Sequence, residues 1–392
     1  MRETGRKGRQ KRLATVVILG GGTGGAAAAR SLVARLPAGH RIILVEKEAK
    51  VPYQPAFLEV MVGRRWIGGI SRPVANLRGT GVEVIVDRVL GIDAERRRLR
   101  LTGGVLPYDV LVLAAGAEAD EPDPPDLGRA GFNLYTPEGV LGIRGAIETL
   151  ERGEVVLVAA ELPFKCPPAL YEAALMLRSY FARRGREQRV RLSVYTPEAA
   201  PLAVAGERPS RAIARTLAAR QITLCAGQRL EVVDPGRRRL RFAGGGEAHF
   251  DLLLYIPRHR CPEAVRASGL TDESGWVPVD AFTMRTDVPE LYAIGDVNRV
   301  RLPSGDDLLK IGEIAHFQGL VVAENIAVRL RGQEPRRLFG GKIGCVIDTG
   351  NGALAVTGNI YRRRPNLMVL PASRGWRVVK WLAERQWLRE HG

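Results

Sequence analysis

Long apolar runs are missing from this 392-residue chain: no stretch of about 18 uncharged apolar residues occurs, which argues against a membrane-spanning helix. Cysteine is scarce. The four, at 166, 225, 261 and 345, have none of the close spacings that metal sites use, so no metal is expected. Three of them sit beside glycine or proline, and transient redox chemistry suits them better than structural bridges. Aromatic residues make up only 6% of the chain and form no basic-aromatic platform, so nucleic acid is not expected as a partner. Acidic residues number 42 against 59 Lys and Arg, a formal charge of +17. That excess thickens at both ends, with Arg2, Arg6, Lys7, Arg9, Lys11 and Arg12 at one and Arg362, Arg363, Arg364, Arg374, Arg377, Lys380, Arg385 and Arg389 at the other. Such ends favour an anionic surface, and the expected one is a membrane. The basic start has no separate apolar stretch and no small-residue cleavage site, so it does not read as a secretory signal and the cytoplasmic side is expected.

What is present suffices for two or three domains, since 45% of the residues are hydrophobic. Thr15-Val-Val-Ile-Leu-Gly20 reads as an apolar parallel strand, followed by G-x-G-x-x-G at Gly20, Gly22 and Gly25 and an alanine-rich helix. A strand before and a helix after turn this weak pattern into a strong one for a dinucleotide. The glycines let backbone approach a pyrophosphate at the helix N-terminus, where free N–H groups favour anions. A second strand, Arg41 to Glu46, ends in an acid suited to ribose hydroxyls.

Cys166 occupies a segment with no glycine between Gly153 and Gly185: Glu154-Val-Val-Leu-Val-Ala-Ala-Glu161-Leu-Pro-Phe-Lys165-Cys166-Pro167-Pro168. The prolines suit a first helical turn, so Cys166 is expected at or beside a helix N-cap. That position and the neighbouring Lys165 are expected to lower its thiol pKa. Cys345 follows Gly344 and precedes a Val-Ile strand, where backbone can come close to a flat cofactor. Burial as small hydrophobes is the competing reading for both. Cys225 alternates with apolar positions of a strand and is expected in the core, whereas Cys261 lies in a loop.

The order of these segments resembles the sulfide:quinone oxidoreductase and flavocytochrome c sulfide dehydrogenase group, relatives of type II NADH dehydrogenases. The resemblance runs from Thr15 to about Trp387. It is carried by Lys165-Cys166-Pro-Pro-Ala-Leu-Tyr-Glu172, by Lys310-Ile-Gly-Glu-Ile-Ala-His-Phe-Gln318 and by Gly344-Cys345-Val-Ile-Asp348-Thr-Gly350. Two further segments, ending in Ala115-Gly116 and Gly295-Asp296, resemble those that return the chain to the cofactor in two-dinucleotide flavoproteins. The resemblance implies non-covalent FAD, with Asp296 on the ribityl chain and Lys310 near the pyrimidine edge or a bound acceptor. It also implies Cys166 and Cys345 as a redox pair. Sulfide, or another small sulfur nucleophile, would open their link; two electrons would pass to FAD and then to quinone, and zero-valent sulfur or polysulfide would leave. Two departures stand out. No cysteine precedes Cys166, so the third cysteine of many such quinone reductases is absent, and none in Val51 to Val60 could tether a flavin. His316 also stands where an acid is expected.

The implied fold class is α/β. It comprises an FAD domain from 14–117 and 281–335, a second Rossmann-like domain inserted at 118–280, a C-terminal region at 336–392 with an amphipathic helix, and a basic tail at 1–13. Trp376, Val379, Leu382, Ala383 and Trp387 share one face of that helix, which is read as membrane-directed. Packing on the protein itself is the competing expectation, and a homo-oligomer is left open. The loop after Val155–Ala160 offers Glu161 and no glycine to a pyrophosphate, so NADH dehydrogenase is a minor reading. A flavocytochrome-like enzyme with a protein acceptor, or one acting on persulfides or thiols, remains the alternative.

Overall fold

The computed structural model describes residues 13–120 and 124–391. The basic residues from Arg2 to Arg12 lie outside the described residues.

Strand β1 (Thr15–Leu19) leads into helix α1 (Thr23–Arg35), then β2 (Arg41–Glu46), β3 (Glu83–Val86) and β4 (Val110–Leu113). Val16, Val17 and Ile18 have no exposed surface, the signature of a parallel strand covered on both faces. The chain then builds a second unit from β5 (Phe132–Asn133), helix α2 (Pro137–Thr149), β6 (Gly153–Ala159), helix α3 (Pro168–Ala182), β7 (Val190–Thr196), helix α4 (Glu207–Ala219), β8 (Ile222–Ala226) and β9 (Leu252–Ile256). Its sheet runs β5-β9-β6-β7-β8, all parallel. Only after this unit does β10 (Leu291–Ala293) return to pair with β4, completing the first sheet in the order β10-β4-β1-β2-β3. The second Rossmann-like unit is thereby inserted in the first.

Helix α5 (Gly312–Leu330) lies along α1, and the contact is close because both helices carry glycine there. A Cβ on Gly24 would come within 2.9 Å of the Ala315 carbonyl oxygen, and one on Gly319 within 2.5 Å of that of Gly24. Three antiparallel strands follow, β11 (Lys342–Asp348), β12 (Ala353–Asn359) and β13 (Met368–Ser373), and then helix α6 (Gly375–Glu390).

Helix α3 is buried from Pro168 to Phe181, as befits a helix apolar on every side and enclosed between the second sheet and β11. Its one guanidinium, Arg178, is buried but donates to the carbonyls of Glu187, Val190 and Gln221. The turn after β11 locks onto α3: Ser179 donates to Asn351 Oδ1, and a Cβ on Gly350 would strike Ser179. Asp348, 1% exposed, accepts from Arg64 at 3.1 Å and pairs with Arg377 of α6 at 3.0 Å. These ties hold the strand bearing Cys345 against the helix that begins beside Cys166.

Candidate active site

Two helix N-termini and two cysteines define the site. At the first, Gly20 turns the chain with φ +108°, and a Cβ there would sit 2.3 Å from the Ala114 oxygen. Gly25 must be as small, because its Cβ would meet the Gly20 oxygen at 1.9 Å. Gly22, by contrast, faces open space, and the α1 N-terminus it caps carries no side-chain cap and no acidic residue. The backbone there is bare toward the cleft. Helix α5 also begins without a side-chain cap, and the Thr23 hydroxyl lies 3.8 Å from where a Cβ of Gly312 would be. Two sets of N–H groups therefore face the same cleft, a natural seat for a diphosphate. Glu46 at the end of β2 accepts from the Gly21 N–H at 2.7 Å through one oxygen and from Glu48 N–H at 3.1 Å through the other. Ala115 and Gly116, just after β4, and Gly295-Asp296, just after β10, complete the rim at the strand ends. The residues present fit a dinucleotide with its diphosphate over α1.

Cys166 stands one residue before the α3 N-cap, in the left-handed region at φ +48°. Such a conformation costs a non-glycine residue free energy and needs fixing from outside. Fixing is provided: the Cys166 N–H donates to the Lys310 carbonyl at 2.7 Å, Ala169 N–H donates to the Cys166 carbonyl, and the Tyr135 hydroxyl reaches the carbonyls of Lys165 and Cys166. Cys345 pairs in register with Val356 in the middle of β11. Both cysteines are free thiols and partly buried. They lie close enough to act on one another electrostatically: after desolvation, the charge of Cys166 is the largest influence on Cys345.

The expectation of a depressed thiol pKa is corrected by the structure. Burial pushes Cys166 up to about 12, and Glu172 adds to the rise. Burial likewise holds Cys345 well above the usual thiol value. Lys165 is not among the main influences on Cys166; its ammonium is itself desolvated and donates to Gln54 Oε1 at 2.9 Å. The cation that acts on both sulfurs is Lys380 of α6, which forms an ion pair with Glu172 of α3 and lowers the pKa of each thiol. Neither member of that pair is evident from sequence, because 208 residues separate them.

Residues 14–148 match the pyridine nucleotide-disulphide oxidoreductase family. The mitochondrial sulfide:quinone oxidoreductase of Mus musculus is 23% identical over 89% of this chain and 79% of its own length. An NADH dehydrogenase-like protein of Mycobacterium tuberculosis is 28% identical over 78% of this chain and 77% of its own. The crystal structure of sulfide:quinone oxidoreductase from Aquifex aeolicus superposes with a TM-score of 0.87 at 23% identity, covering 96% of this chain and 91% of that one. The chain carries a pyridine nucleotide-disulphide oxidoreductase domain and is a flavin-dependent oxidoreductase.

In this flavoprotein, Lys310 does not project freely. Its ammonium donates to the carbonyls of Asp296 and Asn298 at 2.7 and 2.9 Å and stands over the Trp276 ring, and burial lowers it to about 8. Asp296 lies close enough to raise the pKa of Lys165, Cys166 and Lys310, so the cofactor rim and the thiols form one neighbourhood. The acid sought at His316 is found one turn earlier. Glu313 opens α5 and accepts from the Gly344 N–H at 3.1 Å, beside Cys345. Desolvation raises it to about 7, although the residue keeps an exposed side. An acid in the first turn of a helix was a readable signal. Cys225 is partly buried on β8, and Cys261 is wholly buried despite its loop. Trp387 is also corrected: it faces inward, 5% exposed and ring to ring with Tyr53 at 5.2 Å. Among the described residues there is no metal-binding cluster and no helix long and apolar enough to cross a membrane.

Proposed function

We propose that the chain oxidises sulfide through Cys166 and Cys345 and passes two electrons to a quinone. The observation that carries this reading is the placing of two thiols, close enough to act on one another, with the Glu172–Lys380 ion pair beside the flavin rim. When bound, FAD supplies a two-electron relay between the sulfur side and the acceptor side.

Hydrosulfide attacks one sulfur of the oxidised Cys166–Cys345 pair. A new S–S bond forms to that sulfur, the bond between the cysteines breaks, and the other cysteine leaves as a thiolate. Over the cycle, hydrogen sulfide gives up two electrons and two protons, the quinone gains both, and sulfur leaves at the zero-valent level. Each thiolate is costly in these surroundings, so a fixed cation is needed where it forms. Lys380 supplies it. The ammonium stays charged because Glu172 holds it, its pKa being raised by that carboxylate against the cost of burial. Glu313, exposed to solvent yet raised to about 7 by desolvation, holds a proton for the acceptor.

The outer face of α6 supports a peripheral membrane site for a lipid-soluble acceptor. Val378, Val379, Trp381 and Leu382 are exposed there, and the Arg385 guanidinium lies 4.4 Å from the Trp381 ring centre. Apolar burial with flanking cations suits an anionic bilayer surface.

The test is anaerobic. Sulfide added to the FAD-loaded protein bleaches the flavin absorbance, and Cys166→Ala or Cys345→Ala abolishes the bleaching while leaving bound FAD in place. Bleaching that survives in both variants removes the cysteines from the mechanism.

A further inference from the structure

The inner face of α6 meets the cofactor loop at a point that the sulfur chemistry does not use. Trp387 Nε1 donates to the Thr23 hydroxyl oxygen at 3.0 Å, and Thr23 is the first residue of α1. An indole N–H can only donate. The Thr23 oxygen is therefore fixed as acceptor, and its own O–H is left to donate into the cleft above Gly22, where a Cβ would meet nothing within 4 Å.

One turn on, the His391 ring stacks on Trp387 at 3.7 Å and is 2% exposed. Its Nδ1 is 2.9 Å from the Trp387 carbonyl, which assigns Nδ1 as the donor. Its Nε2 is buried without a hydrogen-bond partner, with the backbone of Gly21 and Gly22 close by. A buried polar atom without a partner carries a desolvation cost. Arg30 of α1 donates to the Glu390 carbonyl at 3.3 Å, pinning the same turn to the same helix.

We infer that the last turn of α6 is a latch completing the diphosphate end of the FAD site: Trp387 orients the Thr23 hydroxyl as a donor, and the His391 ring stacked on Trp387 holds the indole in that position. FAD retention then depends on a helix whose other face is exposed, and not only on the glycine loop. The inference needs bound FAD and does not depend on sulfide as the substrate.

The test uses apoprotein titrated with FAD and, separately, with ADP, which keeps the diphosphate and lacks the flavin ring. Trp387→Phe keeps the ring and loses the N–H; His391→Gln, which removes the ring stacked on the indole, is a second variant at the helix end. Loss of the hydroxyl's orientation toward the diphosphate predicts that Trp387→Phe raises the Kd of FAD and of ADP by about tenfold, and that His391→Gln raises both in the same direction. In a Thr23→Ala background, Trp387→Phe adds no further loss. Both Kd values unchanged within about twofold in the two variants would overturn the latch. So would a lowered apoprotein melting temperature with unchanged Kd, or fully additive losses with Thr23→Ala, since those mark Trp387 as packing alone.

Discussion

At the scale of single residues, the thiols and Glu313 are tuned in the same direction by the same cause. Desolvation raises Cys166, Cys345 and Glu313, so each group prefers to hold its proton. For the thiols this makes the charged form depend on Lys380. For Glu313 it moves the titration into the working range. A carboxyl with a pKa near 7 is protonated below that pH and able to donate; as pH rises through 7 it loses the proton and can no longer do so. Flavin reoxidation by a soluble quinone, followed after chemical reduction so that sulfide plays no part, should therefore slow as pH passes about 7. Glu313→Gln cannot donate a proton, and it should remove that inflection and slow reoxidation roughly a hundredfold. An inflection near 7 that persists in the variant would assign the proton to another group.

At the scale of elements, what was legible in the sequence was local. The apolar strand β1, the glycine loop and the alanine-rich α1 follow one another within about one turn, and their identities dictate their geometry. The two prolines announced the start of α3 in the same way. What escaped the sequence was long-range. Lys380 belongs to a stretch rich in arginine and reads as one more surface cation, yet it is half-buried on Glu172 because α6 folds back over β11. Trp387 fits a helical stripe with Val379 and Leu382, but the ion pairs Arg65–Glu384 and Arg377–Asp348 rotate the helix so that Trp387 turns in while those two stay out. The low thiol pKa expected from the helix N-terminus failed for a related reason: burial was invisible in the sequence, and it outweighs the dipole. The rotated helix makes its own prediction. Because Val378, Val379, Trp381 and Leu382 form the exposed patch, the paired change Trp381→Glu and Leu382→Glu should lower sedimentation with anionic vesicles by at least about tenfold. The FAD content should stay unchanged, and undiminished vesicle binding would move the membrane surface elsewhere.

At the scale of the whole molecule, one dinucleotide unit sits inside another and the two have been equipped differently. The α1 N-terminus of the first is bare and faces open space, as a diphosphate requires. The corresponding end of α3 in the second offers nothing comparable. Pro167 and Pro168 have no N–H, Ala169 N–H is taken by the Cys166 carbonyl, and Leu170 N–H reaches back to Pro167. Ahead of it, Glu161 adds a negative charge that Arg258, at 3.6 Å, only partly offsets across an exposed surface. A pyrophosphate at this position would meet no free backbone N–H from Pro167 to Leu170 and one carboxylate. The unit has kept its sheet while its phosphate seat has become a mount for a thiol. Millimolar NADH, added anaerobically to the FAD-loaded protein, should therefore leave the flavin absorbance unchanged over the time in which sulfide bleaches it. Bleaching by NADH would mean that the nucleotide is held without the α3 N-terminus, and the likeness to NADH dehydrogenase-like proteins would then describe the activity better than the two cysteines do.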